Sequence, residues 1–340
     1  MPPLIPAFLK SLTLPVICAP MFLVSGTRLV INACKQGIVG TFPALNTRND
    51  DILDDWLTEI RESLRQAGEE RAKARNLPPP APYGVNLIVH KTNKRLGQNL
   101  DRIVKHQVPL VITSLGAARD VVDAVHSYGG TVFHDVTNVR HAQKAAEAGV
   151  DGLIAVCAGA GGHAGVASPF ALIPKLREVF PGVICLAGAI SDGASIRAAQ
   201  TLGADIAYIG TRFIATQESM APDAYKQMLL TSKEGPSPSF LPTVYTDKIS
   251  GVNANFLRTS LEQAGLDPEN PAHPSLGTED FSKLDPSAKE STAWRDIWSA
   301  GHSVINIHDI PTVETLVGRW KDEYAAAIRR ERDLQPNFPV

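Results

Sequence analysis

Short apolar runs recur along the chain, and stretches with helical spacing of apolar residues separate them. The runs are rich in Val and Ile and alternate little with polar residues, which is typical of parallel strands buried on both faces. They predict strands at 15–21, 37–42, 83–89, 110–116, 131–136, 152–157, 183–188 and 206–213. Helical patterns lie between most of them, at 27–37, 49–76, 118–127, 139–148, 170–179 and 193–202.

This alternation predicts an α/β fold. Eight βα units in under about 250 residues favour a TIM (β/α)8 barrel, in which the strands close into a ring. A doubly wound open sheet is the structural alternative. In a barrel, function collects at the carboxyl ends of the strands, so the residues that follow each strand are the candidates for chemistry.

The alternation stops after the eighth strand. Residues 218–300 contain Pro-rich stretches and scattered helical pieces, and we expect a smaller, mainly helical insertion that covers the barrel mouth. An amphipathic helix then follows Pro311, and we expect it to close the last βα unit. The predicted organisation is a barrel formed by 1–217 and 301–340, with 218–300 as the insertion.

Charge and cysteine content exclude several classes of protein. Lys and Arg number 33 against 35 Asp and Glu, a net charge of -2, which gives no electrostatic reason to expect nucleic acid or an anionic membrane as partner. The chain has no run of 18 apolar residues, and prolines break its apolar N-terminus, so we expect neither a transmembrane helix nor a signal peptide. The four cysteines form no CxxC pair and predict buried free thiols in a reducing, cytoplasmic setting. No metal-binding spacing is present.

Two glycine-containing turns follow the seventh and eighth strands, in "AGAISDG" (187–193) and "IGTRF" (209–213). Glycine lets the backbone approach a ligand closely, and bare N–H groups bind anions. Gly188 and Gly210 stand where such glycines are needed, and Thr211 adds a hydroxyl. These turns predict a phosphate site. The alternative is that the glycines only make tight strand–helix connections.

The sixth strand runs into "AGAGGHAG" (158–165), a loop of small residues with one histidine. It lacks the spacing and the helix of a dinucleotide fingerprint. We interpret it as a loop kept small so that a flat ring can lie against it, with His163 directed at the edge of that ring. Imidazole titrates near neutrality, so His163 can transfer a proton or hold an anionic substrate.

Three further groups of residues are candidates for the site. Asn86, inside the apolar third strand, needs hydrogen-bond partners and could contact a heterocycle. Pro20 and Met21 follow the first strand, and Met21 could pack on an apolar ring face. "WSAGHS" (298–303) places Ser299, Gly301 and His302 after the insertion, where they could contribute to a substrate pocket.

Taken together, these motifs resemble the nitronate monooxygenase family of FMN-dependent TIM-barrel enzymes. "APM" after the first strand, "GVN" on the third, "AGGHAG" after the sixth, "AGAISDG" after the seventh and "GTRF" after the eighth occur in that order. The resemblance runs from about Pro15 to Glu218. The combination of these motifs is specific for the superfamily, and no single motif is.

The resemblance implies a role for each matched residue. FMN phosphate would be held by the backbone of Gly188, Ala189, Gly210 and Thr211. The flavin ring would be contacted by Asn86, lined by Ala19, Pro20 and Met21, and approached closely at Gly161 and Gly162. His163 would be the catalytic base or the substrate anchor.

The chain departs from the family pattern at several positions. Ala189 replaces a frequent glycine, and Cys18 a frequent glutamine. Asp135 stands at the end of the fifth strand, where NADH-using relatives carry a basic residue. The loop after His163 reads "AGVASPF" and lacks the arginine of some monooxygenases. These differences bear on the substrate more than on the cofactor.

The leading functional prediction is FMN-dependent oxidation of alkyl nitronates by O2, giving a carbonyl compound and nitrite, with nitroalkanes as further substrates. The alternative keeps the flavin and makes the protein an NAD(P)H-dependent reductase of quinones or enoyl thioesters. A flavin-free isomerase or lyase acting on a phosphorylated substrate is a third hypothesis. The sequence leaves the oligomeric state open, with a homo-oligomer as one alternative.

Overall fold

Parallel strands close into a barrel in the computed structural model, which describes residues 6–74, 78–90, 92–116, 119–232, 241–271 and 295–334. The strands in these ranges are β1 (Val16–Cys18), β2 (Val39–Pro43), β3 (Tyr83–Ile88), β4 (Leu110–Ser114), β5 (Thr131–Val136), β6 (Gly152–Val156), β7 (Gly162–His163), β8 (Val183–Ala187), β9 (Ile206–Ile209), β10 (Thr243–Thr246) and β11 (Ala254–Leu257). The barrel order is β1-β2-β3-β4-β5-β6-β8-β9, and β1 pairs with β9 to close it. The predicted (β/α)8 barrel is confirmed, and the open sheet is excluded.

Helices connect the barrel strands on the outside. The α-helices of the described ranges, including those after the last barrel strand, are α1 (Thr27–Lys35), α2 (Asp50–Ala74), α3 (Leu96–Lys105), α4 (Arg119–His126), α5 (Val139–Ala148), α6 (Pro169–Val179), α7 (Gly193–Thr201), α8 (Thr211–Ile214), α9 (Asp223–Thr231), α10 (Arg258–Gln263) and α11 (Val313–Leu334). The sequence did not predict α3. Ile103 is buried and Leu96 and Leu100 are partly buried, so the apolar residues of α3 do recur at helical spacing and were a signal that could have predicted it.

Side chains alternate between two cores along each strand. Inward residues such as Ile17, Ile112, Phe133 and Ile154 fill the barrel, while their neighbours pack against the helices. The inward positions become polar towards the carboxyl ends of the strands, where Asn86, Ser114, Asp135 and Tyr208 line a cavity. The apolar side chains inside the barrel therefore lie directly beneath the polar cavity.

The insertion contributes a small antiparallel sheet besides its helices α9 and α10. Strands β10 and β11 form a hairpin, and β11 pairs with β7, with Ala254 opposite His163 and Asn255 opposite Gly162. The prediction of a mainly helical insertion omitted this sheet. Residues 233–240 and 272–294 of the predicted insertion lie outside the described residues, and the division of the chain at 217 and 301 stays a prediction.

The four cysteines are buried and form no disulfide, as the sequence predicts. Across the described ranges, none of the helices combines the length and apolar content that crossing a membrane requires. The same ranges hold no group of three or more His, Cys, Asp or Glu side chains arranged to bind a metal ion.

A glycine packed against α11 and a glycine exposed on α11 predict opposite effects on stability. A Cβ on Gly193 at the start of α7 would overlap the backbone of Trp320 and Tyr324 in α11. Gly318 is exposed within α11, and a Cβ there meets nothing within 4 Å. We expect Gly193→Ala to destabilise the fold by about 1–3 kcal/mol through overpacking. Gly318→Ala should stabilise it by about 0.5–1 kcal/mol. Urea unfolding of both variants measures the difference, and equal midpoints would contradict the observed α7–α11 contact.

Candidate active site

A cavity of about 960 Å³ opens at the carboxyl ends of the barrel strands. Most of the predicted site residues lie on its wall, namely Ala19, Pro20, Met21, Asn86, Gly161, Gly162, His163, Gly188, Ala189, Gly210, Thr211 and Ser299. The barrel topology brings these residues together from widely separated parts of the chain.

The turn after β8 combines positive backbone φ angles with backbone N–H groups that have no acceptor. Gly188 has φ +129° and Ala189 φ +56°, so two successive residues adopt positive φ. A Cβ on Gly188 would lie 3.0 Å from the carbonyl oxygen of Ala158, which explains why a glycine stands there. Within the described residues, the backbone N–H groups of Ala189, Gly210 and Thr211 donate no hydrogen bond. These groups are available to an anion.

Neighbouring polar groups on this side are already occupied within the protein. The first turn of α7 is capped by Asp192, whose carboxylate accepts from the backbone N–H of Ser195 at 2.7 Å. Arg212 is buried and turns to Asp309 (Nη2 to Oδ1, 2.5 Å) and to the carbonyl of Ala215. The predicted anion site therefore depends on the loop backbone and not on Arg212 or on the α7 terminus.

The small-residue loop after β6 packs tightly on the segment that follows the insertion. A Cβ on Gly161 would lie 2.6 Å from the backbone nitrogen of Gly301. Gly301 N–H donates to Thr211 Oγ1 at 2.9 Å, and His302 N–H donates to the carbonyl of Gly159 at 2.9 Å. Ser299 is on the cavity wall, whereas Gly301 and His302 contact the loop and are not among the lining residues.

His163 lies on β7, so the insertion fixes its backbone. Ala164 N–H donates to the carbonyl of Asn253 at 3.1 Å, and the Tyr245 hydroxyl donates to the carbonyl of Ala164 at 2.9 Å. Burial lowers the pKa of His163 to about 4, because desolvation penalises the imidazolium. Near neutral pH the imidazole is uncharged and can accept a proton. It supplies no positive charge for an anion.

A chain of hydrogen bonds crosses the inner wall from β3 to β5. Asn86 Nδ2 donates to Ser114 Oγ at 2.7 Å and to the carbonyl of Ile112 at 3.1 Å. Ser114 Oγ donates to Asp135 Oδ2 at 2.5 Å. This Asn86–Ser114–Asp135 chain supplies the buried amide of Asn86 with the partners that the sequence required.

The sequence did not single out Ser114 or Tyr208 as site residues, and it noted Asp135 only as a departure from the family. All three are inward-facing polar residues at or near strand ends and line the cavity. Period-two alternation along β4, β5 and β9 places them inside the barrel once the strand ends are known. That alternation was the signal in the sequence from which Ser114, Asp135 and Tyr208 could have been identified as site residues.

Comparison with known proteins decides the family. A family model described as nitronate monooxygenase matches residues 7–320. The chain belongs to the nitronate monooxygenase family. The resemblance inferred from the motifs is confirmed.

Curated proteins that are similar in sequence to this nitronate monooxygenase family member carry different names. A nitronate monooxygenase of Paraburkholderia phytofirmans is 34% identical over 161 residues, 45% of this chain and 42% of that protein. A "(3aS,4S,5R,7aS)-5-hydroxy-7a-methyl-1-oxo-octahydro-1H-indene-4-carboxyl-CoA dehydrogenase" of Mycobacterium tuberculosis is 26% identical over 250 residues, 73% of this chain. The alignment spans 64% of the length of that dehydrogenase.

A solved structure of FabK from Thermotoga maritima has a TM-score of 0.76 with 23% identity, covering 96% of this chain and 97% of that one. At this identity the likeness shows a shared fold. The names of the two curated relatives describe different enzymes.

Proposed function

We propose that this protein is an FMN-dependent oxidoreductase that oxidises alkyl nitronates with O2 to a carbonyl compound and nitrite. The observation that carries the proposal is an uncharged His163 on the wall of a cavity that also presents free backbone N–H groups after the neighbouring strands β8 and β9. Family membership supports the same chemistry.

The residues present fit FMN. The N–H groups of Ala189, Gly210 and Thr211 would hold its phosphate, because bare backbone donors and positive-φ turns bind anions without a charged side chain. Gly161 and Gly162 would leave room for the ring, and Ala19, Pro20 and Met21 would line it. Asn86 would contact the ring through the polar wall. When bound, FMN supplies the redox chemistry of the reaction.

His163 would act as a base in this site. A neutral imidazole takes the α-proton of a nitroalkane onto a ring nitrogen and leaves the nitronate in place for oxidation. A nitronate that arrives already ionised needs no base, and the ring N–H of His163 would donate a hydrogen bond to it. We therefore expect His163 to matter most when the substrate is a neutral nitroalkane.

A second candidate function is an NAD(P)H-dependent FMN reductase of quinones or enoyl thioesters. The similarity to a carboxyl-CoA dehydrogenase favours it. So does the presence of Lys144 on the cavity wall, at the α5 side, because a cationic side chain suits the phosphates of a nucleotide. The two candidates share the flavin and differ in the electron donor.

Turnover assays separate them. The FMN-loaded protein is mixed with ethyl nitronate in air, and O2 consumption and nitrite release are measured together. We expect both, in constant ratio, and no comparable rate of NADH or NADPH oxidation with a quinone or an enoyl thioester. Rapid pyridine nucleotide oxidation without nitrite release from the nitronate would overturn the leading proposal in favour of the second.

A further inference from the structure

Ser303 presents a hydroxyl to the cavity that the protein itself leaves unpaired. The residue is only 5% exposed and lies on the cavity wall. Its Oγ has no hydrogen-bond partner among the described residues, yet it is not sealed inside the protein, because it keeps surface that a ligand can reach. Hydroxyls of buried residues are ordinarily paired. A ligand in the cavity is therefore the partner that this hydroxyl lacks.

The short 3₁₀ helix that begins just after Gly301 and ends at Asn306 carries Ser303, and it joins the turns after β8 and β9. At its start, the N–H of Gly301 donates to Thr211 Oγ1 at 2.9 Å, where α8 begins. At its end, Asn306 Nδ2 donates to Ser191 Oγ at 3.1 Å, in the turn after β8. Strands β8 and β9 are neighbours in the barrel, so the two turns lie side by side. Both ends of the helix are thus tied to the turns predicted to bind phosphate.

These turns supply backbone donors but no free cation. The N–H groups of Ala189, Gly210 and Thr211 donate no hydrogen bond within the described residues. The guanidinium of Arg212 is already held in an ion pair. A phosphate monoester carries three oxygens that are strong hydrogen-bond acceptors, so it can use more donors than these backbone groups. The Ser303 hydroxyl, beside the same turns, is a donor of the required kind.

We propose that Ser303 donates a hydrogen bond to the phosphate of FMN and completes the site that the backbone of the two turns begins. The inference rests on the proposed FMN binding. It adds a side chain from a segment about 90 positions beyond the β9 turn to a phosphate site that the sequence motifs placed on the turns alone. Riboflavin lacks the phosphate and is otherwise identical to FMN. Ser303 therefore contributes to the preference for FMN over riboflavin and not to binding of the ring.

The empty and the loaded protein should respond differently to loss of this hydroxyl. In the apoprotein, Ser303 Oγ bonds to none of the described residues, so its removal breaks no contact with them. In the complex, its removal takes a hydrogen bond from a charged acceptor, and such bonds are stronger than those between neutral groups. A serine that only supported the fold would show the opposite pattern, with a loss of stability in the apoprotein.

The test is titration of the apoproteins with FMN and with riboflavin, followed by quenching of flavin fluorescence. Ser303→Ala should raise Kd for FMN by about 10- to 100-fold, which corresponds to the ~1.5–3 kcal/mol of a hydrogen bond to a charged group. Kd for riboflavin should stay near that of wild type. Ser232→Ala is the matched control and should leave both constants unchanged. Ser232 is also 5% exposed, but it donates to Thr259 Oγ1 at 3.3 Å and does not line the cavity.

The ratio of the two dissociation constants, taken within each variant, cancels general damage to the flavin site and keeps the test decisive if Ser303→Ala is less stable. Urea unfolding of the apoproteins should give the same midpoint for wild type and Ser303→Ala. An unchanged ratio in Ser303→Ala, whether both ligands keep their affinity or lose it in parallel, would overturn the inference alone. Failure of the wild-type protein to bind FMN would overturn the proposed function together with it.

Discussion

Replacing His163 with Ala should lower kcat/KM for a neutral nitroalkane by about 10²–10⁴-fold, the contribution of a well-placed general base. With the preformed nitronate the loss is smaller, because the proton has already left. The two substrates, assayed with the same variant, therefore separate base catalysis from general damage to the site.

His126→Gln is the matched control, since His126 is an exposed histidine on α4 that pairs with Asp151 away from the cavity. It should leave both rates near those of wild type. An equal loss with nitroalkane and nitronate in His163→Ala would contradict a role for His163 as a base.

The lowered pKa of His163 also predicts the pH at which kcat/KM falls on the acid side of the pH profile. His163 accepts a proton only while uncharged, and burial lowers its pKa to about 4. We expect kcat/KM for a nitroalkane to be independent of His163 protonation from neutral pH down to about 5. It should then fall as pH drops through about 4. A limb near the ordinary histidine pKa of about 6.5 would show that His163 is solvated in the working enzyme.

Gly161→Ala should weaken FMN binding by roughly tenfold or more. The added Cβ would lie 2.6 Å from Gly301 N and 3.0 Å from Thr211 Oγ1. The Gly301 backbone is held in place because its N–H donates to the Thr211 hydroxyl at the start of α8. The loop can relieve this overlap by moving away from Gly301 and Thr211, which displaces the surface that the ring would rest on. Overpacking of this kind costs about 1–3 kcal/mol, and 1.4 kcal/mol corresponds to a factor of about 10 in Kd.

Gly97→Ala is the control for this substitution. Gly97 is exposed on α3, and a Cβ there meets nothing within 4 Å. Titration of the apoproteins with FMN, followed by quenching of flavin fluorescence, gives the two dissociation constants. Wild-type affinity in Gly161→Ala would mean that the flavin does not lie against the small-residue loop.

The barrel and several residues of the cavity wall could be predicted from the sequence because both depend on local patterns. Apolar runs mark strands, and the residues that follow them gather at one end of a barrel whatever their distance along the chain. Gly188 and His163 were found in this way, and Asn86 was found as a polar amide inside an apolar strand. Their roles toward FMN remain predictions.

What the sequence did not predict depends on pairing between distant segments. Strand β7 has only two residues, inside a glycine loop, and its partner β11 lies about 90 positions later. A two-residue strand shows no periodicity from which the pairing could be predicted. The Ser114–Asp135 hydrogen bond depends on the register between β4 and β5. Asp135 could be read as a departure from the family, but its unpartnered oxygen is visible only in three dimensions.

The identity of the electron donor is tested most directly by anaerobic mixing. The FMN-loaded protein is mixed with an alkyl nitronate, and separately with NADH and with NADPH, while the absorbance of the oxidised flavin is followed by stopped flow. Rapid bleaching by the nitronate, without comparable bleaching by either pyridine nucleotide, is the result expected of a nitronate-oxidising enzyme. Bleaching by a pyridine nucleotide alone would contradict that function and establish the protein as a reductase on the same barrel.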